Sequence, residues 1–250
     1  MRKIFINPKY EALRSYMESI PERMLLEGNV LYNKRNLIKE LITPDGMHIN
    51  VKRYHKPFLI NNFVYSLGFR KPKGQRAFEY PVVLKNKGIS TPEAVAYIED
   101  RKCGLLQYTY FISLQAQGYK TLYEVGDAIQ GTYEKLAEAL GCFTASMHKK
   151  EVLHKDYSPG NILYKVENDV YQFTIVDINR MRFGPVDMQA GCQNFVRLWG
   201  PKRFIILSVE AYAREREFNS EACVEMVLKE RSRFWRAYQK RHPVEFNLEL

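Results

Sequence analysis

No apolar run in the 250 residues approaches the roughly 18 positions needed to span a bilayer, so any membrane contact is expected to be peripheral. The opening residues, MRKIFINPKYEALRSY, carry basic side chains but no long apolar core and no small-residue cleavage site, so no secretory leader is expected. Cysteine is scarce. Cys103, Cys142, Cys192 and Cys223 stand far apart without a C-x-x-C pair, which weighs against a zinc site and suits free thiols in a reducing cytoplasm. There is no internal repeat and no low-complexity linker. The G-x-G-x-x-G phosphate loop is missing, and so is the A-P-E triplet of a peptide-substrate platform.

What is present is apolar material for a core, at 46% hydrophobic and 13% aromatic residues, which argues against disorder. The length fits one large domain or a two-lobed one. A formal net charge of +10 favours anionic partners: nucleic acid, nucleotide, phosphorylated sugar or an acidic membrane surface. Charge alone does not choose among them.

The first part of the chain reads as strands. Met24–Tyr32 and Asn36–Ile42 are apolar-rich, Thr43-Pro44-Asp45-Gly46 is a turn, and His48–Tyr54 alternates with Ile49 and Val51 opposite Asn50 and Lys52. These predict a three-stranded antiparallel meander. Lys73–Lys87 reads as a helix stopped at Gly88, with Pro81 interrupting it or marking its start. Pro92–Ile98 and Leu105–Ser113 follow as strands. From about Leu122 the pattern turns helical, with Leu136, Leu140 and Phe143 at helical spacing up to His148, and the chain is mostly helical again from about Met188. Strands first and helices later predict an α+β arrangement of two lobes, residues 1–115 and 116–250, with the boundary near Gln115–Thr121.

The chemistry concentrates in two short segments. His154-Lys155-Asp156-Tyr157-Ser158-Pro159-Gly160-Asn161 has the form H-x-D-x-x-x-x-N, and Phe173-Thr174-Ile175-Val176-Asp177 is an apolar strand ending in a second aspartate. Phosphoryl transfer from ATP needs these three polar roles close together: an Asp to orient the acceptor hydroxyl, an Asn on the metal, and an Asp on magnesium. Asp156 is the candidate catalytic residue, and Asn161 and Asp177 are the candidate metal ligands. Gly160 is read as allowing a tight turn, and strands Ile162–Val166 and Tyr171–Val176 around Glu167-Asn168-Asp169 as the hairpin that brings Asp177 back to Asn161. Three specified positions recur by chance; the apolar hairpin and second Asp make the combination far more specific.

Lys52, on a strand about one hundred residues before the loop, is the candidate for the ATP α/β phosphates, with Glu79 on the predicted helix as the carboxylate that aims it. The bland readings are a solvent-facing lysine on an edge strand and a solvated glutamate. Lys34 and Arg35, between the first two strands, would contact phosphate by charge or form a solvated turn. Asp177 is followed by Ile178-Asn179 and not Phe-Gly, which with the missing A-P-E shifts the expected acceptor away from protein. Basic residues also cluster at Arg70–Lys73 with Arg76, at Lys149-Lys150, and along Lys229, Arg231, Arg233, Arg236, Lys240 and Arg241. In that last segment Cys223, Val227, Phe234 and Tyr238 are read as the inward stripe and the charges as outward, either a solvated face or a surface for acidic headgroups.

On Arg76–Pro92 (RAFEYPVVLKNKGISTP), His154–Tyr164 (HKDYSPGNILY) and Val176–Gly184 (VDINRMRFG), the chain resembles the lipopolysaccharide kinase family, the bacterial Kdo/heptose kinases with a protein-kinase-like fold. The similarity runs from about Met24 to Gly184. It implies transfer of the ATP γ-phosphate, with Mg2+, to a sugar hydroxyl of the lipopolysaccharide inner core, at the cytoplasmic face of the inner membrane. It gives Asp156 the catalytic role, Asn161 and Asp177 the metal, and Lys52 with Glu79 the phosphate-orienting pair. The expected partners are ATP, an acidic glycolipid or sugar, and an anionic membrane surface, with no nucleic acid. The alternatives are a small-molecule kinase of the antibiotic type and a nucleotide-binding pseudokinase or regulatory module. The Arg- and Lys-rich C-terminal third argues against a cationic antibiotic as substrate.

Overall fold

The computed structural model describes residues 1–34, 36–57, 65, 69–244, 246 and 248–250; Arg35 lies outside them. The chain divides into two compact units, Met1–Gln117 and Gly118–Leu250.

The first unit is built on a six-stranded sheet of β1 (Arg2–Ile6), β2 (Asn29–Asn33), β3 (Leu37–Ile42), β4 (His48–Tyr54), β5 (Ala94–Lys102) and β6 (Leu105–Leu114), ordered β1-β5-β6-β4-β3-β2 with antiparallel neighbours. The predicted meander is β2-β3-β4. Its T-P-D-G turn closes with the Gly46 amide donating to the Thr43 carbonyl at 2.9 Å, at a φ of +83° that suits glycine.

One sheet face carries Ile49, Val51, Ala96, Ile98, Tyr110 and Ile112, and it is covered by Tyr10, Met17, Ile20 and Met24 from the N-terminal segment. That cover corrects the reading of Met24 as the start of a strand. Met24–Leu26 ends a helix, α2 (Ile20–Leu26), which follows α1 (Arg14–Glu18). Pro21 sits in its first turn, and Ile20 and Met24, four apart, share its buried side. A continuous apolar run has no period to separate helix from strand. The chain turns into β2 through Gly28 at φ +88°.

The other face carries the cross-strand rows Lys52–Phe111–Tyr97 and Tyr54–Thr109–Glu99. Helix α3 (Lys73–Asn86) packs here so closely that a Cβ on Gly74 would lie 2.7 Å from the Tyr97 ring. Pro81 neither starts nor ends α3. It belongs to the buried stripe Gly74, Ala77, Pro81, Leu84, and the helix stops just before Gly88 at φ +62°.

In the second unit, β9 (Ile162–Glu167) pairs with both β10 (Val170–Ile175) and the short β7 (Lys120–Thr121), while β8 (Val152–His154) pairs with β11 (Met181–Phe183). The helices are α4 (Glu134–Lys149), α5 (Met188–Phe195), α6 (Lys202–Arg216) and α7 (Ser220–Gln239). Helix begins later than the expected Leu122: Leu122–Val125 is one 3-10 turn, and α4 starts at Glu134, whose carboxylate accepts from the amides of Gly131 and Tyr133 at 2.8 and 3.1 Å. Helices α4 and α6 cross at Gly141, where an added Cβ would lie 2.2 Å from the Ser208 carbonyl oxygen.

In α7 the inward stripe is Cys223, Val227, Arg231 and Trp235. Arg231, read from sequence among the outward charges, is fully buried. Its guanidinium donates to the carbonyl oxygens of Glu249 and Gly200, and burial brings its pKa down to about 10. All four cysteines are free thiols, and no helix among the described residues is long and apolar enough to cross a membrane.

Candidate functional site

Strand β8 ends at His154, which is fully buried and serves as a spacer inside the site. Its Nε2 donates to the Val176 carbonyl at 2.9 Å, and its Nδ1 accepts from the Asp156 amide at 3.1 Å. These partners require the neutral ring protonated on Nε2, and burial lowers its pKa in the same direction. The ring therefore ties the residue before Asp177 to the backbone of Asp156.

Asn161 supplies a second tie. Its Nδ2 donates to the Asp156 carbonyl at 2.8 Å, and its own carbonyl accepts from the Val176 amide at 3.0 Å. With Nδ2 so used, Oδ1 is the end of the amide left for a cation. Asp177 follows in a left-handed conformation, φ +54° and ψ +42°, and its carboxylate accepts from Nδ2 of the buried Asn179. Such a conformation in a non-glycine residue is held by its surroundings. The expected hairpin forms, with register Ile175↔Ile162 through Val170↔Glu167. Its two-residue turn, Asn168-Asp169, has both φ values positive, as a type I′ turn requires. Asp156, Asn161 and Asp177 are thus brought together by one set of hydrogen bonds.

Behind the loop lies a buried polar chain that sequence reasoning missed. The Tyr212 hydroxyl donates to His148 Nδ1 at 3.1 Å, His148 Nε2 donates to Asn194 Oδ1 at 3.1 Å, and Asn194 Nδ2 donates to the His154 carbonyl at 3.2 Å. Burial pushes the His148 pKa down to about 4. Tyr157, also buried, hydrogen-bonds Thr144 of α4 at 2.8 Å. Gly160 lies in the expected tight turn, a 3-10 turn over Pro159–Asn161 closed by the Asn161 amide on the Ser158 carbonyl at 2.9 Å, and it has a second reason that the sequence did not mark. It does not adopt a positive φ; a Cβ there would lie 2.7 to 2.9 Å from the tip of the Tyr123 ring.

Asp156 also faces two arginines with no precedent in the motif. Arg197 Nη1 donates to its Oδ1 at 2.6 Å, and Arg180 Nη1 stands 3.7 Å from its Oδ2. The local signal for Arg180 is its place three residues after Asp177. Arg197 is forty-one residues from its partner and carries none.

In the first unit, Lys52 sits on the interior strand β4 between β3 and β6, with only 9% of its surface exposed and its ammonium 5.2 Å from the Tyr54 ring centre. The solvent-facing edge lysine is therefore not what the fold contains. Glu79 is partly buried on α3, and its carboxylate accepts from Lys71 at 2.7 Å and Gln75 at 3.0 Å.

The donor set suits magnesium, which takes oxygen ligands, often one or two protein groups completed by phosphate and water. Asn161 Oδ1 and the Asp177 carboxylate are such a pair. Among the described residues no group of three or more His, Cys, Asp or Glu is placed to hold a metal ion.

Comparison with known proteins places these observations. The family described as "Lipopolysaccharide kinase (Kdo/WaaP) family" matches residues 17–200. No curated protein matches the sequence. Among solved structures, "WaaP in complex with acyl carrier protein" is similar with a TM-score of 0.59 and 14% identity, over 96% of this chain and 100% of that one. The amicoumacin kinase hAmiN in complex with AMP-PNP, Ca2+ and Ami gives 0.57 and 11%, over 96% and 98%. The Rio2 kinase from Chaetomium thermophilum, as an ADP/Mg2+-phosphoaspartate complex, gives 0.50 and 12%, over 95% and 78%. At these identities the likeness shows the fold, which is protein-kinase-like, as expected.

Proposed function

This chain belongs to the lipopolysaccharide kinase (Kdo/WaaP) family, and on that premise we propose that it transfers the γ-phosphate of ATP to a sugar hydroxyl of the lipopolysaccharide inner core. That it is a kinase follows from the family. The observation that supports phosphoryl transfer at this site is the assembly in which His154 and Asn161 tie Asp156 to the strand end bearing Asp177.

Asp156 accepts the hydrogen bond of the acceptor hydroxyl and aims its oxygen. A loose transition state removes the proton late, so orientation matters more than basicity. Asn161 and Asp177 would hold Mg2+, which would offset the charge that develops on the phosphates during transfer. Asn179 keeps the Asp177 carboxylate turned to its task, as groups behind a metal ligand commonly do. Lys52 contacts the α/β phosphates, and Glu79, which accepts from Lys71 and Gln75 in this structure, is the carboxylate assigned to steady it. The neighbours in complex with AMP-PNP and Ca2+ and with ADP and Mg2+ support use of a nucleotide with a divalent cation.

The acceptor is acidic and membrane-borne in this reading, and the protein works peripherally at the cytoplasmic face of the inner membrane. The net charge of +10 supports it, as do Leu25, Leu26, Val30 and Leu31, apolar side chains exposed in the first unit near Lys34 and Lys39. The alternative of an antibiotic-type kinase draws on the amicoumacin kinase likeness, but the arginines at Asp156 would repel a cationic antibiotic. The test is incubation with ATP, Mg2+ and purified core glycolipids, read by mass spectrometry for one added phosphate. Phosphate on an aminoglycoside or a protein alone contradicts the assignment, and ATP binding without transfer to any acceptor points to a regulatory module.

A further inference from the structure

We infer that Arg197 and Arg180 form an anion subsite beside Asp156, selecting an acceptor that carries a carboxylate or phosphate group on the same sugar ring as the hydroxyl to be phosphorylated. The inference rests on the reading of Asp156 as the residue that receives that hydroxyl, and adds to it which acceptor is received.

The geometry is specific. Arg197 follows α5 and touches two things among the described residues: Oδ1 of Asp156 at 2.6 Å, and the Phe234 ring, 5.7 Å from the guanidinium carbon to the ring centre. Arg180 approaches the other carboxylate oxygen at 3.7 Å, beyond hydrogen-bonding distance. Both side chains are about half exposed, at 45% and 54%, while the Asp156 side chain is 26% exposed.

Stability does not explain two arginines here, because exposed ion pairs of this kind contribute little. Nor does catalysis on a neutral sugar. Two cations on one carboxylate leave a net positive charge and weaken the aspartate as a hydrogen-bond acceptor, a cost that remains unless the substrate brings an anion. The remaining guanidinium donors match what such an anion needs. A guanidinium has five N–H groups in a planar fork suited to carboxylate or phosphate, and Arg197 spends one of its two Nη groups on Asp156. Phe234 limits the ways the fork can turn. The backbone of Asp156 is held separately by His154 and Asn161, so its side chain is able to exchange an arginine for a hydroxyl without losing the loop.

An arginine serving the transferred phosphate would be expected to face the Asp177 carboxylate, whereas Arg197 donates to Asp156 and Arg180 approaches the other oxygen of the same carboxylate. The anion must lie near the reacting hydroxyl, since the two contact points are joined by one 2.6 Å bond.

The test compares kcat/KM for four methyl glycosides: a neutral heptoside, a 3-deoxy-octulosonic acid glycoside bearing a carboxylate, its neutral methyl ester, and a heptoside phosphate monoester. They are assayed with the wild-type protein and with Arg197→Gln, Arg197→Lys and Arg180→Gln. The wild type should prefer an anionic acceptor over its neutral counterpart by about ten- to a hundredfold, the range of one charge-assisted contact. Preference for the carboxylate over its ester assigns a carboxylate as the ligand, and preference for the phosphate monoester over the neutral heptoside assigns a phosphate. R197Q should collapse the preference through the acceptor KM with the ATP KM little changed, and R197K should restore part of it. Equal losses in kcat on every acceptor would overturn the subsite in favour of a role in positioning Asp156 or stabilising the transferred phosphate. A faster R197Q enzyme would overturn it in favour of a blocking contact. Transfer by the wild type without charge preference would overturn the inference alone, and no transfer to any glycoside would overturn the kinase reading with it.

Discussion

The Nε2–H of His154 donates to the carbonyl oxygen of Val176 at 2.9 Å, and the opposite nitrogen of the same ring accepts from the Asp156 amide. One buried imidazole thereby sets the separation between Asp156 and the strand end that carries Asp177.

His154→Phe keeps the volume and removes both bonds, leaving a buried amide and a buried carbonyl without partners. The expected cost is about 2–4 kcal/mol in urea unfolding. Turnover should fall at least tenfold, because Asp156 and Asp177 lose their common spacer. A variant that unfolds more easily yet turns over normally at low temperature would show that the ring only fills space.

The same buried chain gives the protein an acid limit. His148 has its pKa lowered to about 4 from the ordinary 6.5 by burial, so the unfolded chain binds a proton that the folded chain refuses between those values. The stability it contributes is fully present above about pH 6.5 and is lost as pH falls toward 4, about 3 kcal/mol in all. His154 shifts in the same direction and steepens the loss. Unfolding free energies measured from pH 7.5 to 4.5 should fall, and His148→Gln should flatten the curve by about that amount. A flat wild-type curve contradicts the burial of neutral rings.

Asn179→Ala removes the amide that holds the Asp177 carboxylate. Outer groups of this kind commonly change metal affinity by about 10–100-fold, so the Mg2+ concentration for half-maximal rate should rise in that range. Thermal stability should change little, since Oδ1 of Asn179 has no hydrogen-bond partner among the described residues. An unchanged Mg2+ requirement would remove Asn179 from the site.

Gly141→Ala tests the packing that holds the loop from behind. The new methyl would stand 2.2 Å from the Ser208 carbonyl oxygen and 2.7 Å from the Ala211 Cβ, so α4 and α6 must separate. The loss should be about 3 kcal/mol or more, whereas a solvent-facing glycine such as Gly104, where nothing crowds the position, tells nothing about helix contact. A melting temperature within a degree of wild type would refute the crossing.

Much of this arrangement was legible in sequence because it is local. The loop from His154 to Asn161 and the hairpin to Asp177 carry polar roles and apolar alternation within a couple of dozen residues, and Lys52 stood out on an alternating strand. What escaped depends on distant partners. His148 meets Tyr212 and Asn194 sixty-four and forty-six positions away, and Arg197 meets Asp156 forty-one away, distances over which pattern carries no information. Arg231 was misread for a related reason: its charge is balanced by backbone carbonyls, which no sequence pattern marks. Met24–Leu26 failed because an aperiodic apolar run fits a short helix as well as a strand. Gly160 lies in the tight turn read for it, but the close approach of Tyr123 escaped because that side chain comes from another element.

The most direct test of the central claim follows radiolabelled γ-phosphate from ATP into core oligosaccharide for the wild type and for Asp156→Asn, which keeps the side-chain shape. The account predicts label in the sugar with the wild type and a fall of about 10²–10⁴-fold with the variant, at similar ATP binding. Label entering the sugar equally fast with both proteins would contradict it.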